Sequence, residues 1–360
     1  GDPIKLYAGF NEIDEARYIV ERIKQWASDG NSYKEAAILY RSNAQSRVME
    51  EALLRSQLPY RIYGGQRFFE RAEVRNVLAY MRLVAHRDAD AAFERVVNTP
   101  TRGIGNRTIE EIRNLSRSSD ISMWQAASRL VQSDGMSARP RNAIRNFIEL
   151  IDSLDKATTD CDLPTLVDII LEQSGLKAYY EKEKTERGQA RLENLAEIVT
   201  AARTFDPEED YGFGQGGFGQ ENFSEDGLSE TGSDTDRPEE VEQSLLERFL
   251  SHAALEAGEG QGDPDQECVQ LMTMHSAKGL EFPLVFLAGM EEGLFPHRMS
   301  LEEPGRLEEE RRLCYVGVTR AMKQLYLTYA ESRRMNGMET YNRASRFVKE
   351  IPDDLIQEVR

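Results

Sequence analysis

A parallel α/β sheet interrupted by a large all-helical insertion is the fold class that the sequence predicts. Three observations predict it: strand-like and helix-like segments alternate over residues 1–64, helical periodicity alone follows for roughly 140 residues, and the strand pattern returns from residue 265.

In chain order, IKLYAGF reads as a strand, DEARYIVERIKQWASDG as a helix, AAILYRS as a strand, AQSRVMEEALLRSQ as a helix, and YRIYGG as a strand ending in Gly64 and Gly65. FFERAEVRNVLAYMRLVAH, DAAFERVVN, NRTIEEIRNLSR, MWQAASRLVQ, RNAIRNFIELIDSLDK, LPTLVDIILEQSG and RLENLAEIVTAARTF then carry helical spacing. Residues 206–242 are rich in Gly, Ser and acids and bury too little apolar surface to offset their ordering entropy, so a disordered loop is expected there. A short helix, VEQSLLERFLSHAALEA, closes the insertion. The strands CVQLMTM and PLVFLAG, the helix LEEERRLCYVGVTRA and the strand QLYLTYA complete the sheet. The expected organisation is therefore one α/β domain, 1–64 plus 265–360, split by a helical domain at 65–264.

Charge limits the partners in an unobvious way. The net charge of -18 argues against nucleic acid, yet the 206–242 segment holds 13 acids against one base, Arg237, and carries -12 of it. The remainder is close to neutral. Cys161, Cys268 and Cys314 stand far apart without a CxxC spacing, so neither a disulfide framework nor a zinc site is expected. There is no run of 18 apolar residues, and the first residues, GDPIKLYAGF, lack the basic and apolar parts of a targeting segment, which predicts a cytoplasmic protein.

Four stretches hold residues capable of chemistry. Thr273, His275, Ser276, Lys278, Gly279 and Glu281 fall in TMHSAKGLEF between two strands, where hydroxyl, cation, bare backbone and carboxylate meet; an ordinary polar loop is the alternative. Arg320 ends an apolar helical stripe with Leu313 and Val316, a place for meeting a phosphate or carboxylate, or for an internal salt bridge to Glu308, Glu309 or Glu310. YRSNAQSR sets Arg41, Ser42, Asn43 and Arg47 just past a strand, suited to phosphate contacts or to capping a helix. In NTPTRGIGNRT, Gly103 and Gly105 flank Ile104 ahead of a helix; backbone amides there can approach a DNA phosphate, with Arg102, Arg107 and Thr108 beside them, and a plain helix–helix turn is the alternative. No G-x-x-x-x-G-K-[ST] phosphate loop and no strand ending in paired acids occurs in the 360 residues.

Taken in order, YRSNAQSR, YRIYGGQRFFER, NTPTRGIG, HSAKGLEFPLVF and EEERRLCYVGVTRA resemble the motif series of superfamily 1A DNA helicases of the UvrD, PcrA and Rep type. The resemblance spans nearly the whole chain and implies a RecA-like domain (2A) interrupted by a helical domain (2B). It implies the second half of an ATP-dependent 3′-to-5′ motor of excision and mismatch repair, whose Walker motifs and magnesium ligands lie in a first half. By it, Arg320 matches the arginine finger, and Glu281 matches a nucleotide-sugar contact, with Lys278, Gly279 and Arg41 also placed on the ATP side. His275 and Thr273 match single-strand contacts, and Gly103, Ile104, Gly105 and Thr108, with Arg102 and Arg107, a duplex-binding element. Gly64 and Gly65 fall at the expected swivel. The implied partners are single-stranded DNA, single-strand/duplex junctions, repair proteins and a further copy of the protein; no membrane is implied. A catalytically silent DNA- or partner-binding module is the rival, and a helicase–nuclease subunit is disfavoured because no clustered acids follow the last strand.

Overall fold

The structure is a computed structural model that describes residues 2–133, 136–210, 244–258, 267–302, 305–335 and 338–359. The strands are β1 Ile4–Gly9, β2 Ala36–Tyr40, β3 Tyr60–Ile62, β4 Val269–Thr273, β5 Phe282–Leu287, β6 Ala321–Ala330, β7 Ser332–Met335, β8 Met338–Tyr341 and β9 Ile356–Val359. Helices α1 Glu12–Ser28 and α2 Ser46–Arg55 lie between the first strands. Ten more follow β3: α3 Ala72–Ala85, α4 Asp90–Val96, α5 Asn106–Ser119, α6 Met123–Gln132, α7 Ala138–Thr158, α8 Leu163–Gln173, α9 Leu176–Glu181, α10 Glu186–Thr204, α11 Pro207–Asp210 and α12 Leu245–Gly258. The last three are α13 Arg298–Glu302, α14 Arg306–Val318 and α15 Arg346–Lys349.

Seven strands form one sheet in the order β3-β4-β2-β5-β6-β1-β9, every pair parallel. The segments up to β3 and after α12 thus interleave in a single sheet, and because β3 and β4 are parallel the chain departs at the carboxyl end of β3 and re-enters at the amino end of β4. Central strand β2 is buried at all five positions, as a parallel strand covered on both faces must be. Ile38 and Tyr40 pack with Ile19, Ile23, Met49 and Leu53 of α1 and α2, whereas Leu39 faces Met274, Ala277, Leu313 and Cys314 on the other side. Asn11 caps α1 by accepting from the Asp14 amide.

The helices between α3 and α12 enclose their own apolar core, centred on Tyr80, Phe93, Phe147, Ile170 and Phe249. Sequence periodicity misses α9, the β7–β8 hairpin and β9. Short, with mixed composition, they draw their order from partners: β9 pairs with β1 from Ile4↔Ile356 to Tyr7↔Val359. The expected loop at 206–242 lies outside the described residues from 211 onward, and 207–210 form a helical turn. Among the described residues no helix is long and apolar enough to cross a membrane.

Candidate functional site

β2 and β4 are neighbours with Tyr40 opposite Thr273, and the Met274 amide donates to the Tyr40 carbonyl at 2.9 Å. Arg41 and His275 therefore leave the same carboxyl edge of the sheet. Because β5 is also parallel, it starts at the opposite edge, and residues 274–281 must cross the sheet face to reach it. Buried Met274 and Ala277 pin that crossing, while His275, Lys278, Gly279 and Glu281 are exposed. A tight turn starts it: Thr273 Oγ1 lies 3.0 Å from Ser276 Oγ and accepts from the Ser276 amide at 3.2 Å. Gly279, at φ +89, supplies a left-handed bend that a side chain would strain.

Arg320 stands at the amino edge, where the crossing ends. Its carbonyl accepts from the Phe282 amide at 2.9 Å, locking the starts of β5 and β6 together. The guanidinium donates to the carbonyls of Val316 (2.9 Å) and Leu280 (2.8 Å) and to Thr319 Oγ1 (3.0 Å). All three acceptors are neutral, so among the described residues no carboxylate compensates its charge. The salt bridge left open by the sequence is not formed: Glu310 pairs with Arg41, and Glu308 with Arg311.

Arg41 is placed differently from the expectation that groups it with Glu281, Lys278 and Gly279. Glu310, at the other end of α14, grips its Nε at 3.1 and 3.0 Å and its Nη2 at 2.7 Å. At about 1.5 Å per helical residue, Arg320 lies about 15 Å further along, and a five-residue strand gives a similar separation between the sheet's edges. The sequence puts Arg41 past a strand end but does not say which edge the next loop reaches. In the fold its neighbour is His275. Although His275 keeps an exposed surface, the protein around its ring partly desolvates it, and this, then the charge of Arg41, lowers its pKa against the opposing pull of Glu186 and Glu310. For Glu310, burial alone would raise the pKa, but the hydrogen bonds and charge of Arg41 outweigh it and hold the carboxyl below its usual range.

In the helical region the NTPTRGIG turn divides into inward and outward residues. Ile104 is fully buried in the apolar core and Thr108 is also buried. Arg102 turns inward too, donating to the carbonyls of Val96 (3.1 Å), Pro100 (3.0 Å) and Ser174 (2.9 Å) and to Tyr80 Oη (2.6 Å). That commitment gives Arg102 a structural task as well: a guanidinium with four internal acceptors braces the turn. Gly103, at φ +79, and Gly105 are exposed, and Arg107, with a side chain 93% exposed, reaches Glu111 at 3.2 Å. Gly105 opens α5, whose first amides have no helical acceptor by construction.

Several site residues escape the sequence reading. Asn98 Oδ1 accepts from the amides of Arg102 (2.8 Å) and Ile104 (3.2 Å) and so shapes the glycine turn. Its position in NTPTRGIG was the available signal. Glu310 was visible only as one of three consecutive acids. His297 and Glu193 lie far from any motif, yet their side chains meet at 3.4 Å, and Glu193 also accepts from Ser42.

Residues 1–332 match the family described as UvrD-like helicase C-terminal domain. Over all 360 residues the chain is 54% identical to DNA helicase II of Escherichia coli (strain K12) and 49% identical to that of Haemophilus influenzae, covering 46% of each. It is 38% identical over 361 residues to the ATP-dependent DNA helicase PcrA of Staphylococcus aureus (strain MRSA252), across 99% of this chain and 45% of that one. The chain thus spans about half the length of the curated relatives it matches. Parallel sheet, ordered motifs and full-length similarity agree, and the chain belongs to the UvrD-like helicase C-terminal domain family.

Proposed function

We propose that the chain is the carboxy-terminal half of an ATP-dependent 3′-to-5′ DNA helicase of excision and mismatch repair. The observation that carries this reading is the Arg320 guanidinium, held at a sheet edge by neutral acceptors only and one backbone hydrogen bond from the segment bearing Glu281. An oriented, uncompensated cation suits charge developing on a transferred phosphoryl group. In this reading Arg320 is the arginine finger, Glu281 accepts from the nucleotide sugar, and Lys278 and Gly279 border the nucleotide. In this reading Mg²⁺, which would neutralise phosphate charge, falls to ligands of a first RecA-like half. The crossing loop then joins two functions: Glu281 faces ATP at the amino edge, and Thr273 and His275 face the single-stranded DNA backbone at the carboxyl edge, with Arg41 on that DNA side.

The helical region between Gly65 and residue 264 serves as the duplex-binding 2B domain, swivelling at Gly64 and Gly65, with Gly103, Gly105, Arg107 and the first amides of α5 at the phosphates. Contact with phosphates alone fits a motor that runs on any sequence. Junction DNA, repair proteins and further copies of the protein are the partners in this reading, in the cytoplasm. The decisive experiment mixes or fuses the chain with a first RecA-like half and measures DNA-stimulated ATP hydrolysis. Expected is hydrolysis in the pair, none from the chain alone, and its abolition by Arg320→Ala. A folded fusion that stays silent supports instead a catalytically silent DNA-binding module.

A further inference from the structure

Arg41 and Glu310 form a fork whose geometry is more specific than charge neutralisation requires. Glu310 engages Nε and Nη2 side-on, leaving Nη1 with no acceptor among the described residues, on a side chain that keeps 22% of its surface exposed. The carboxylate is itself fixed, accepting from the His297 amide at 3.1 Å and Ser300 Oγ at 3.3 Å. The loop beside Arg41 is braced independently: Gln45 Oε1 accepts from the amides of Arg41 (3.0 Å) and Ser42 (2.9 Å), and Glu193 of α10 holds the Ser42 hydroxyl. Glu193 also reaches His297, so a ring of contacts runs Arg41–Glu310–His297–Glu193–Ser42. A flexible side chain is thereby locked in plane and direction, with one donor-bearing corner left over beside His275.

We propose that Glu310 is a positioning residue for DNA binding: it presents the free corner of Arg41 to a backbone phosphate of the single strand that His275 contacts. The inference rests on the reading of the carboxyl edge as the DNA side. A phosphate oxygen at Nη1 takes up a free N–H of the guanidinium without breaking the fork, and the rotamer entropy of Arg41 is already lost before DNA arrives.

The sign of one substitution separates this role from bulk electrostatics. Removing an acid near a polyanion ordinarily tightens binding; loosening a positioned arginine weakens it. The chain joined to a first RecA-like half is titrated with fluorescent oligo(dT) at several salt concentrations. Arg41→Ala is expected to weaken binding and to reduce the slope of log affinity against log salt by about 1, the loss of one phosphate contact. Glu310→Gln is expected to weaken binding about 3- to 10-fold with the same loss of slope, and the double variant to bind no worse than Arg41→Ala. Glu310→Asp, which keeps the charge but shortens the reach, serves if the glutamine variant melts early, and it is expected to weaken binding in the same direction. Unchanged or tighter binding by a folded Glu310 variant overturns the proposal, as do losses that multiply in the double variant. Should Arg41→Ala leave affinity and slope unchanged while Arg320→Ala still abolishes hydrolysis, the DNA-side placement of Arg41 falls and takes the inference with it, while the motor reading stands.

Discussion

The two edges of the sheet each present an arginine, and the arginines are held in opposite ways. At the amino edge Arg320 has only neutral partners; at the carboxyl edge Arg41 is gripped by a buried carboxylate. Neutral acceptors orient a guanidinium without cancelling its charge, which suits a group that answers a charge developing elsewhere. A carboxylate fork gives up net charge for direction, which suits a contact that must recur identically at every phosphate. Partner type, more than exposure or sequence position, separates these two arginines in the proposed reading.

Removing the uncompensated guanidinium should have the largest effect. Arg320→Ala is expected to lower DNA-stimulated ATP turnover by about 10³- to 10⁵-fold in a protein joined to a first RecA-like half, with the variant still folded. Retained turnover would show that neutral coordination is no guide to function here.

Arg333 extends the comparison to an arginine with two buried carboxylate partners. It pairs with Glu15 of α1 and, at 2.6 Å, with Glu291, both fully buried. Glu291 also accepts from the Ala330 amide at 2.8 Å and Asn342 Nδ2 at 2.9 Å, tying the β7–β8 hairpin to the sheet. Burial alone would lower the Arg333 pKa; Glu15 and Glu291 outweigh it and raise it. Arg333→Ala leaves two buried carboxylates unpaired and is expected to cost about 3–5 kcal/mol in chemical denaturation. A loss below about 1 kcal/mol would mean that the triad does not anchor the hairpin.

These contrasts also mark what the sequence made legible. The succession of short apolar runs and helix-spaced segments located β1 to β6 and α1, α2 and α14. Most of the helices between β3 and β4 were legible by their helical spacing, α9 excepted, whereas β9 is four residues whose order comes from pairing with β1. Arg320 and Glu281 were singled out by motif, and the fold brings their segments together through the Phe282–Arg320 hydrogen bond. Arg41 was grouped with them because its local sequence says only that a strand has ended. Its position past β2 already sets it on the carboxyl edge of a parallel sheet; that His275 stands beside it there depends on strand order, a property of contacts between residues more than 200 positions apart. Glu310 and Glu193 were hidden similarly, since an acid in a run of acids carries no signal of its partner.

Arg102 and Arg107 offer a smaller contrast within one turn. Arg102→Ala removes donors to three carbonyls and a hydroxyl and is expected to destabilise the protein by about 2 kcal/mol. Arg107→Ala should leave stability within about 0.5 kcal/mol while lowering the salt slope of duplex binding by about 1. Equal effects of the two on both measurements would erase the inward–outward division.

Acid titration should give the smallest difference and sharpens the comparison of edges most directly. The folded-state pKa of Glu310 is lowered from 4.5, so the fork's stabilisation is fully present above that value and is lost as pH falls through the lower, folded-state one. Wild type should therefore exceed Glu310→Gln by at most about 2 kcal/mol at neutral pH, the worth of hydrogen bonds to a charged group with a partly exposed partner. That margin should shrink in acid as the carboxyl takes up its proton in both folded and unfolded chains. Arg320 contacts no ionisable acceptor, so the stability difference between wild type and Arg320→Ala should stay level across the same range. Melting curves of the three proteins between about pH 3 and pH 7 provide the measurement. Parallel acid limbs for all three would mean that the fork contributes nothing to stability, leaving positioning as its whole role.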